Sequence, residues 1–149
     1  MYCSSSPGSV PLLYNVSATK LPITADLTLD ADAPMGHVTV IVSGHGAQSG
    51  GNEYMHTTDT VSVDGVVAGS FATQVDCAAF AKFSPDGNPG IFRNNKTSNP
   101  RNWCPGSLVA PRSFPVQLKP GAHEISLAIE PARMPEGSYY ATSISFSAP

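Results

Sequence analysis

Apolar and polar residues alternate strictly in one short run after another along this chain, and a period of two is the pattern of a strand with one buried face. Ile23, Ala25, Leu27 and Leu29 point one way, with Thr24, Asp26 and Thr28 between them. Val38, Val40 and Val42 form a second run, ended by Ser43-Gly44-His45-Gly46. Thr60 to Val63 and Val66 to Phe71 flank Asp64-Gly65, a dipeptide suited to a type I′ hairpin because both central positions need positive φ. Phe114, Val116 and Leu118 lead into the turn Lys119-Pro120-Gly121, and Ile125, Leu127 and Ile129 follow. Tyr140, Ile144 and Phe146 line the last run, with Thr142 at the intervening inward position. With Val10 to Tyr14 this makes about eight strands and no helical period. Strands that each have one apolar face must pair into two facing sheets, so the expected fold is an all-β, eight-stranded antiparallel jelly-roll sandwich. The 149 residues are expected to form one such domain.

Charge removes several classes of partner. Eight Lys and Arg against 11 Asp and Glu give a net charge of −3. Without a basic surplus, nucleic acid and anionic membrane surfaces lose their main electrostatic attraction. No apolar run approaches the roughly 20 residues of a membrane-spanning helix. The first residues, MYCSSSPGSVPLLYN, lack a basic segment followed by an apolar one, so no signal peptide is expected in this chain.

From Asp76 to Arg112 the alternation stops. This stretch holds five prolines, the single Trp, Cys77 and Cys104, and three arginines. A loop of such length in a compact domain is usually functional or disordered. The two cysteines read either as a disulfide across the loop or as two small buried thiols. A disulfide would point to an oxidising compartment. Cys3 lies near the terminus and is expected to be unpaired, or paired outside this chain.

Two segments carry a resemblance. One is Val42-Ser43-Gly44-His45-Gly46 followed by Gly51-Asn52-Glu53-Tyr54 and the run Thr58 to Asp64; the other is Arg101-Asn102-Trp103-Cys104-Pro105-Gly106. They resemble the S-G-x-G turn, the Ala-Glu-aromatic triplet and the W-C-P-G signature of the C-terminal half of the peptide-N-glycosidase F family, bacterial amidases that remove N-linked glycans from asparagine. The resemblance runs from about residue 10 to the end. It implies that Cys77 and Cys104 are bridged. It also implies an active site in a cleft between two jelly rolls, the essential aspartate coming from a first jelly roll that this chain lacks. Gly51 and Met55 stand where the family has cysteines flanking the triplet, and His45 replaces the aromatic of the S-G-x-G turn. The arginine is one residue closer to the tryptophan than in the enzyme.

The resemblance therefore implies half a site. Glu53 would support catalysis, since amide cleavage needs a carboxylate to activate water and donors at the carbonyl, and one glutamate does not supply both. Trp103, Arg101, Tyr54 and His45 would contact substrate, aromatic faces stacking on sugar rings and the guanidinium donating to hydroxyls. Against this, Glu53 also reads as an exposed loop residue, and Trp103 as packing over the cysteines. Asp59, Asp64 and Asp76 are further carboxylates, two of them reading as strand-end and turn residues. His37, His45, His56 and His123 contain no His-x-His pair, so no metal or other cofactor is expected. A Ser-His-Asp site lacks its G-x-S-x-G elbow.

The expected function is a peptide-N-glycosidase-like domain that contributes half of an N-glycan or glycopeptide site and does not cleave alone. Its expected partners are that glycan and a second jelly-roll domain or subunit, with an extracellular or periplasmic location if it is a domain of a larger protein. The alternative is a structural or interaction jelly roll, in a virion or surface assembly, with no glycan-cleaving activity.

Overall fold

A computed structural model describes residues 8–46, 51–80, 82–83, 102–131 and 134–149. Eight strands occur in the order β1 (Gly8–Ala18), β2 (Ile23–Leu29), β3 (Ala33–His45), β4 (Thr58–Val63), β5 (Val66–Ala72), β6 (Arg112–Leu118), β7 (Gly121–Glu130) and β8 (Tyr139–Ala148). They form two four-stranded sheets, β1-β8-β3-β6 and β2-β7-β4-β5, in which neighbouring strands are antiparallel. Apart from the β4–β5 hairpin, every connection carries the chain from one sheet to the other. This is the jelly-roll sandwich that the alternation implied.

The alternating apolar residues fill the space between the sheets. Ile125, Leu127, Ile129 and Val61 of one sheet face Val38, Val40, Ile144 and Phe146 of the other, and none is more than 2% exposed. Burying each such side chain is worth roughly 1.5–3 kcal/mol relative to leaving it in water, so the inward rows supply most of the driving force. Asp64 and Gly65 both take positive φ, 51° and 78°, as the type I′ reading requires. Asp64 also ties its hairpin to the next turn. Its Oδ1 accepts the Glu124 amide at 2.9 Å and its Oδ2 lies 2.7 Å from Nδ1 of His123. His123 Nε2 is 2.8 Å from the Lys119 carbonyl, so both ring nitrogens face acceptors and the protonated ring can donate to both. The Asp64 hydrogen bond accordingly raises the His123 pKa.

Two strands exceed the alternating runs. β3 does not end at Val42 but continues through Gly44 and His45, which pair with Tyr140 and Tyr139 of β8. β1 runs from Gly8 to Ala18 with two register shifts against β8. In both cases the backbone ladder to β8 holds residues that have no alternation of their own.

The outer faces of the two sheets differ in charge. On the β2-β7-β4-β5 sheet, Asp26, Glu124 and Glu130 project outward, and Asp26 lies directly across from Glu124. In β1, β3, β6 and β8 the one Asp, Glu, Lys or Arg is Arg112, at the first position of β6, with its guanidinium 5.6 Å from the Phe71 ring of the other sheet. The outward row of β8 is Ala141, Ser143, Ser145 and Ser147, and that of β3 is His37, Thr39, Ile41, Ser43 and His45.

Candidate functional site

The β3–β4 and β5–β6 connections meet at the end of the sandwich where β3 finishes. β6 pairs with β3 only as far as Arg112 opposite Val40, so the last residues of β3 have no β6 partner. The loop leading to β6 takes that place. Asn102 Oδ1 accepts the Gly44 amide at 2.8 Å, Asn102 Nδ2 donates to the Asn52 carbonyl at 2.5 Å, and Trp103 Nε1 donates to the Gly44 carbonyl at 3.0 Å. Gly44 is required here because of contact, not torsion. A Cβ at this position would lie 2.5 Å from Asn102 Nδ2 and 2.7 Å from the Asn52 carbonyl oxygen.

This junction holds Glu53 and Trp103 on neighbouring supports. Glu53 sits in a single 3-10 turn, Asn52–Tyr54, whose Glu53 amide reaches the Gly46 carbonyl at 3.4 Å. Its side chain is buried, 6% exposed, so the exposed-loop reading of Glu53 does not hold. Tyr54, the next residue, is half-buried. His45 projects from the outward row of β3 and stacks on Tyr139, 4.8 Å between centroids at 13°, and meets Trp103 at 5.3 Å and 38°. Its Nε2 is 2.9 Å from Ser43 Oγ. Partial burial lowers the His45 pKa and favours the neutral imidazole at neutral pH. A groove of about 200 Å³ opens beside Trp103, lined by Phe71, Thr73, Val75, Leu108 and Arg112.

Cys77 and Cys104 form a disulfide, both residues buried, with 5.3 Å between their Cα atoms. It fastens the short 3-10 helix Cys77–Phe80 to the residue following Trp103. Trp103 is thus held by a bond to Gly44 and is next in sequence to the bridge. Arg101 lies outside the described residues. His37 and His56 are exposed, and His123 belongs to the turn clamp at Asp64. Among the described residues no three His, Cys, Asp or Glu side chains converge as a metal site would need.

Three participants are missing from the set inferred from sequence. Asn102 and Gly44 were each inside a quoted motif, yet an Asn before a Trp says nothing of the strand end it will bridge. Tyr139 reaches His45 through strand register, 94 positions away in sequence.

Beneath the site lies a buried polar group. Thr57 Oγ1 donates to Asp59 Oδ1 at 2.7 Å and is 2.8 Å from Thr73 Oγ1, while the Thr57 amide donates to Thr73 Oγ1 at 3.1 Å. Asp59, the second residue of β4, is 1% exposed, and its Oδ2 has no hydrogen-bond partner among the described residues. Burial pushes its pKa up to about 6 from 3.8. Because the folded-state value is the raised one, the Asp59 contribution to stability is fully present below its unfolded pKa and is lost as pH climbs through about 6. Two pKa units correspond to about 3 kcal/mol. Asp59→Asn is expected to flatten this part of the profile, giving a variant more stable than the parent at pH 7.5 and not at pH 4. Urea unfolding at the two pH values measures it; equal pH dependence in parent and variant would rule out Asp59 as the source.

The site can be placed among known proteins. The family model described as peptide-N-glycosidase F, C terminal, matches residues 13–147. No curated protein matches the chain in sequence. Among solved structures, PNGF-II is similar with a TM-score of 0.80 at 22% identity, over 95% of this chain and 30% of PNGF-II. Peptide-N-glycosidase F of Flavobacterium meningosepticum, a glycosylasparaginase, is similar with a TM-score of 0.69 at 18% identity, over 96% of this chain and 51% of that one. A peptide-N(4)-(N-acetyl-β-D-glucosaminyl) asparagine amidase gives a TM-score of 0.71 at 18% identity, over 96% and 52%. The chain spans between about a third and a half of the length of these structures.

Proposed function

Because the chain belongs to the peptide-N-glycosidase F C-terminal family, we propose that its 149 residues act as one jelly-roll domain supplying half of an N-glycan or glycopeptide site. The observation that supports this reading is the Gly44–Asn102–Asn52 junction, which fixes a buried carboxyl, Glu53, and an aromatic group, Trp103 with His45, at one end of the sandwich. Trp103 and Tyr54 offer ring faces for the apolar side of a sugar, and His45 and Arg101 offer donors for its hydroxyls. Glu53 supports chemistry completed by a second domain or subunit, because water activation and carbonyl stabilisation need more groups than this half contributes. No described helix is long and apolar enough to cross a membrane. The disulfide fits an extracellular or periplasmic setting.

The test is calorimetric titration of chitobiose-asparagine into the chain. Weak, saturable binding is expected, reduced at least about tenfold by Trp103→Ala, with no cleavage; tenfold is about 1.4 kcal/mol, modest for a stacked ring. Far-UV circular dichroism checks that the variant keeps its sheets. Absence of binding by the folded parent overturns the glycan reading, and cleavage by the chain alone overturns the half-site. A second reading, a jelly roll used as an interaction module, draws support from the uncharged outer face of the β1-β8-β3-β6 sheet.

A further inference from the structure

We infer that the groove beside Trp103 binds the peptide part of a glycopeptide. An extended segment would lie in it with an apolar side chain against Phe71, Val75 and Leu108 and a carboxylate on Arg112. This rests on the glycan reading, because Trp103 lines the groove and also belongs to the surface offered to the sugar. The groove follows the seam between the sheets. β5 and β6 are each the outer strand of their sheet, and the groove runs between the end of β5 and the residues entering β6. Phe71 of β5 and Phe114 of β6 meet across the seam, 6.1 Å between centroids.

Main chain, size and charge select the occupant. Leu108, Val109 and Ala110 enter β6 outside any ladder, alternately exposed and half-buried. Among the described residues their amides donate to no acceptor. An extended peptide answers such an open edge, because its carbonyls accept what the strand edge leaves unpaired. A sugar fits the groove less well. Its hydroxyls need polar partners, and the two hydroxyls lining the groove are engaged: Thr73 Oγ1 accepts the Thr57 amide at 3.1 Å, and Ser107 Oγ donates to the Leu108 carbonyl at 3.1 Å. Leu108, 93% exposed, offers the groove only an apolar surface. About 200 Å³ is also less than the roughly 300–1,000 Å³ of sites that enclose a small molecule, and it suits a side chain. A folded domain docks through about 800 Å² on each partner, far more than such a groove admits. Arg112 supplies the charge. Its guanidinium lies 5.6 Å from the Phe71 ring centre, and among the described residues no carboxylate pairs with it. A planar guanidinium held against a ring presents paired donors that match a carboxylate.

Calorimetric titration of the full chain with end-capped ligands tests the groove. The ligands are chitobiose-asparagine and a glycopeptide with leucine and glutamate on each side of that asparagine. The same glycopeptide with alanine and glutamine in their place, and the leucine–glutamate peptide without sugar, complete the set. The leucine–glutamate glycopeptide is expected to bind at least about tenfold tighter than chitobiose-asparagine, the scale of one charge-assisted hydrogen bond. The alanine–glutamine glycopeptide is expected to lose most of that gain. Arg112→Gln and Leu108→Ala are expected to lose it toward the leucine–glutamate glycopeptide. Both substitutions change exposed side chains, and circular dichroism checks that the sheets are kept. Equal binding of chitobiose-asparagine and both glycopeptides by the parent overturns the peptide groove and leaves the glycan reading standing. A gain that survives both substitutions also overturns the groove. Binding of the bare peptide that Arg112→Gln abolishes, without binding of chitobiose-asparagine, supports the groove and overturns the glycan reading. A folded parent that binds none of these ligands overturns both.

Discussion

Asn102→Ala is expected to destabilise the chain by about 3 kcal/mol and to release both halves of the candidate site together. The Asn102 side chain satisfies the Gly44 amide and the Asn52 carbonyl at a point where all three residues are buried. Truncation leaves the buried Gly44 amide without its partner and the Asn52 carbonyl with only the Met55 amide at 3.3 Å, and a buried orphan costs about 1–3 kcal/mol on top of the bonds lost. Asn102→Asp separates the two bonds. It keeps an acceptor for Gly44 but sets a second acceptor against the Asn52 carbonyl, so it is expected to be as damaging as alanine at neutral pH and to recover part of the loss in acid. Urea unfolding gives the stability, and emission from Trp103, the chain's single tryptophan, gives the local environment. A loss below about 0.5 kcal/mol with unchanged emission, the range of an ordinary surface substitution, would show that the junction does not depend on Asn102.

Removing the Cys77–Cys104 bridge is expected to cost a similar amount for a different reason. The bridge joins positions 27 residues apart, and closing an interval of that length in the unfolded chain is worth about 3–4 kcal/mol in the chain-entropy model. In a chain of this size that corresponds to a fall in Tm of about 10 °C. The double substitution Cys77→Ser with Cys104→Ser avoids a lone reactive thiol, and thermal unfolding of the parent with and without reductant provides the independent comparison. Identical Tm values in the oxidised and reduced parent would mean that other contacts hold the loop. Glycan titration of the reduced parent then reports whether Trp103, adjacent to Cys104, keeps its orientation without the bridge.

Much of this molecule is legible from residue order. The inward rows Ile23 to Leu29 and Ile125 to Ile129 were readable because a strand's period of two is strict, so one register buries all the apolar side chains. The Asp64-Gly65 turn was readable because few dipeptides tolerate two positive φ values. The W-C-P-G signature marked Trp103 and Cys104 as belonging to one loop. The burial of Glu53 was not readable, since nothing in Asn52-Glu53-Tyr54 distinguishes a turn tucked against a strand end from one in solvent. Nor was the extension of β3 through His45, whose residues lack alternation and are held by pairing with Tyr139 and Tyr140.

Local pattern thus suffices for the strands, the tight turn and the two-layer core, because each depends on neighbours within a few positions and on the side of the sheet they face. Contacts between residues remote in sequence do not follow from such patterns. Asn102 bridges Gly44 and Asn52 across 58 and 50 positions, and Tyr139 stacks on His45 through register. Asp59 acquires its raised pKa from the layers packed around it. These features arise when two sheets close and two connections meet at one end, and burial then turns ordinary polar side chains into the parts that hold the site.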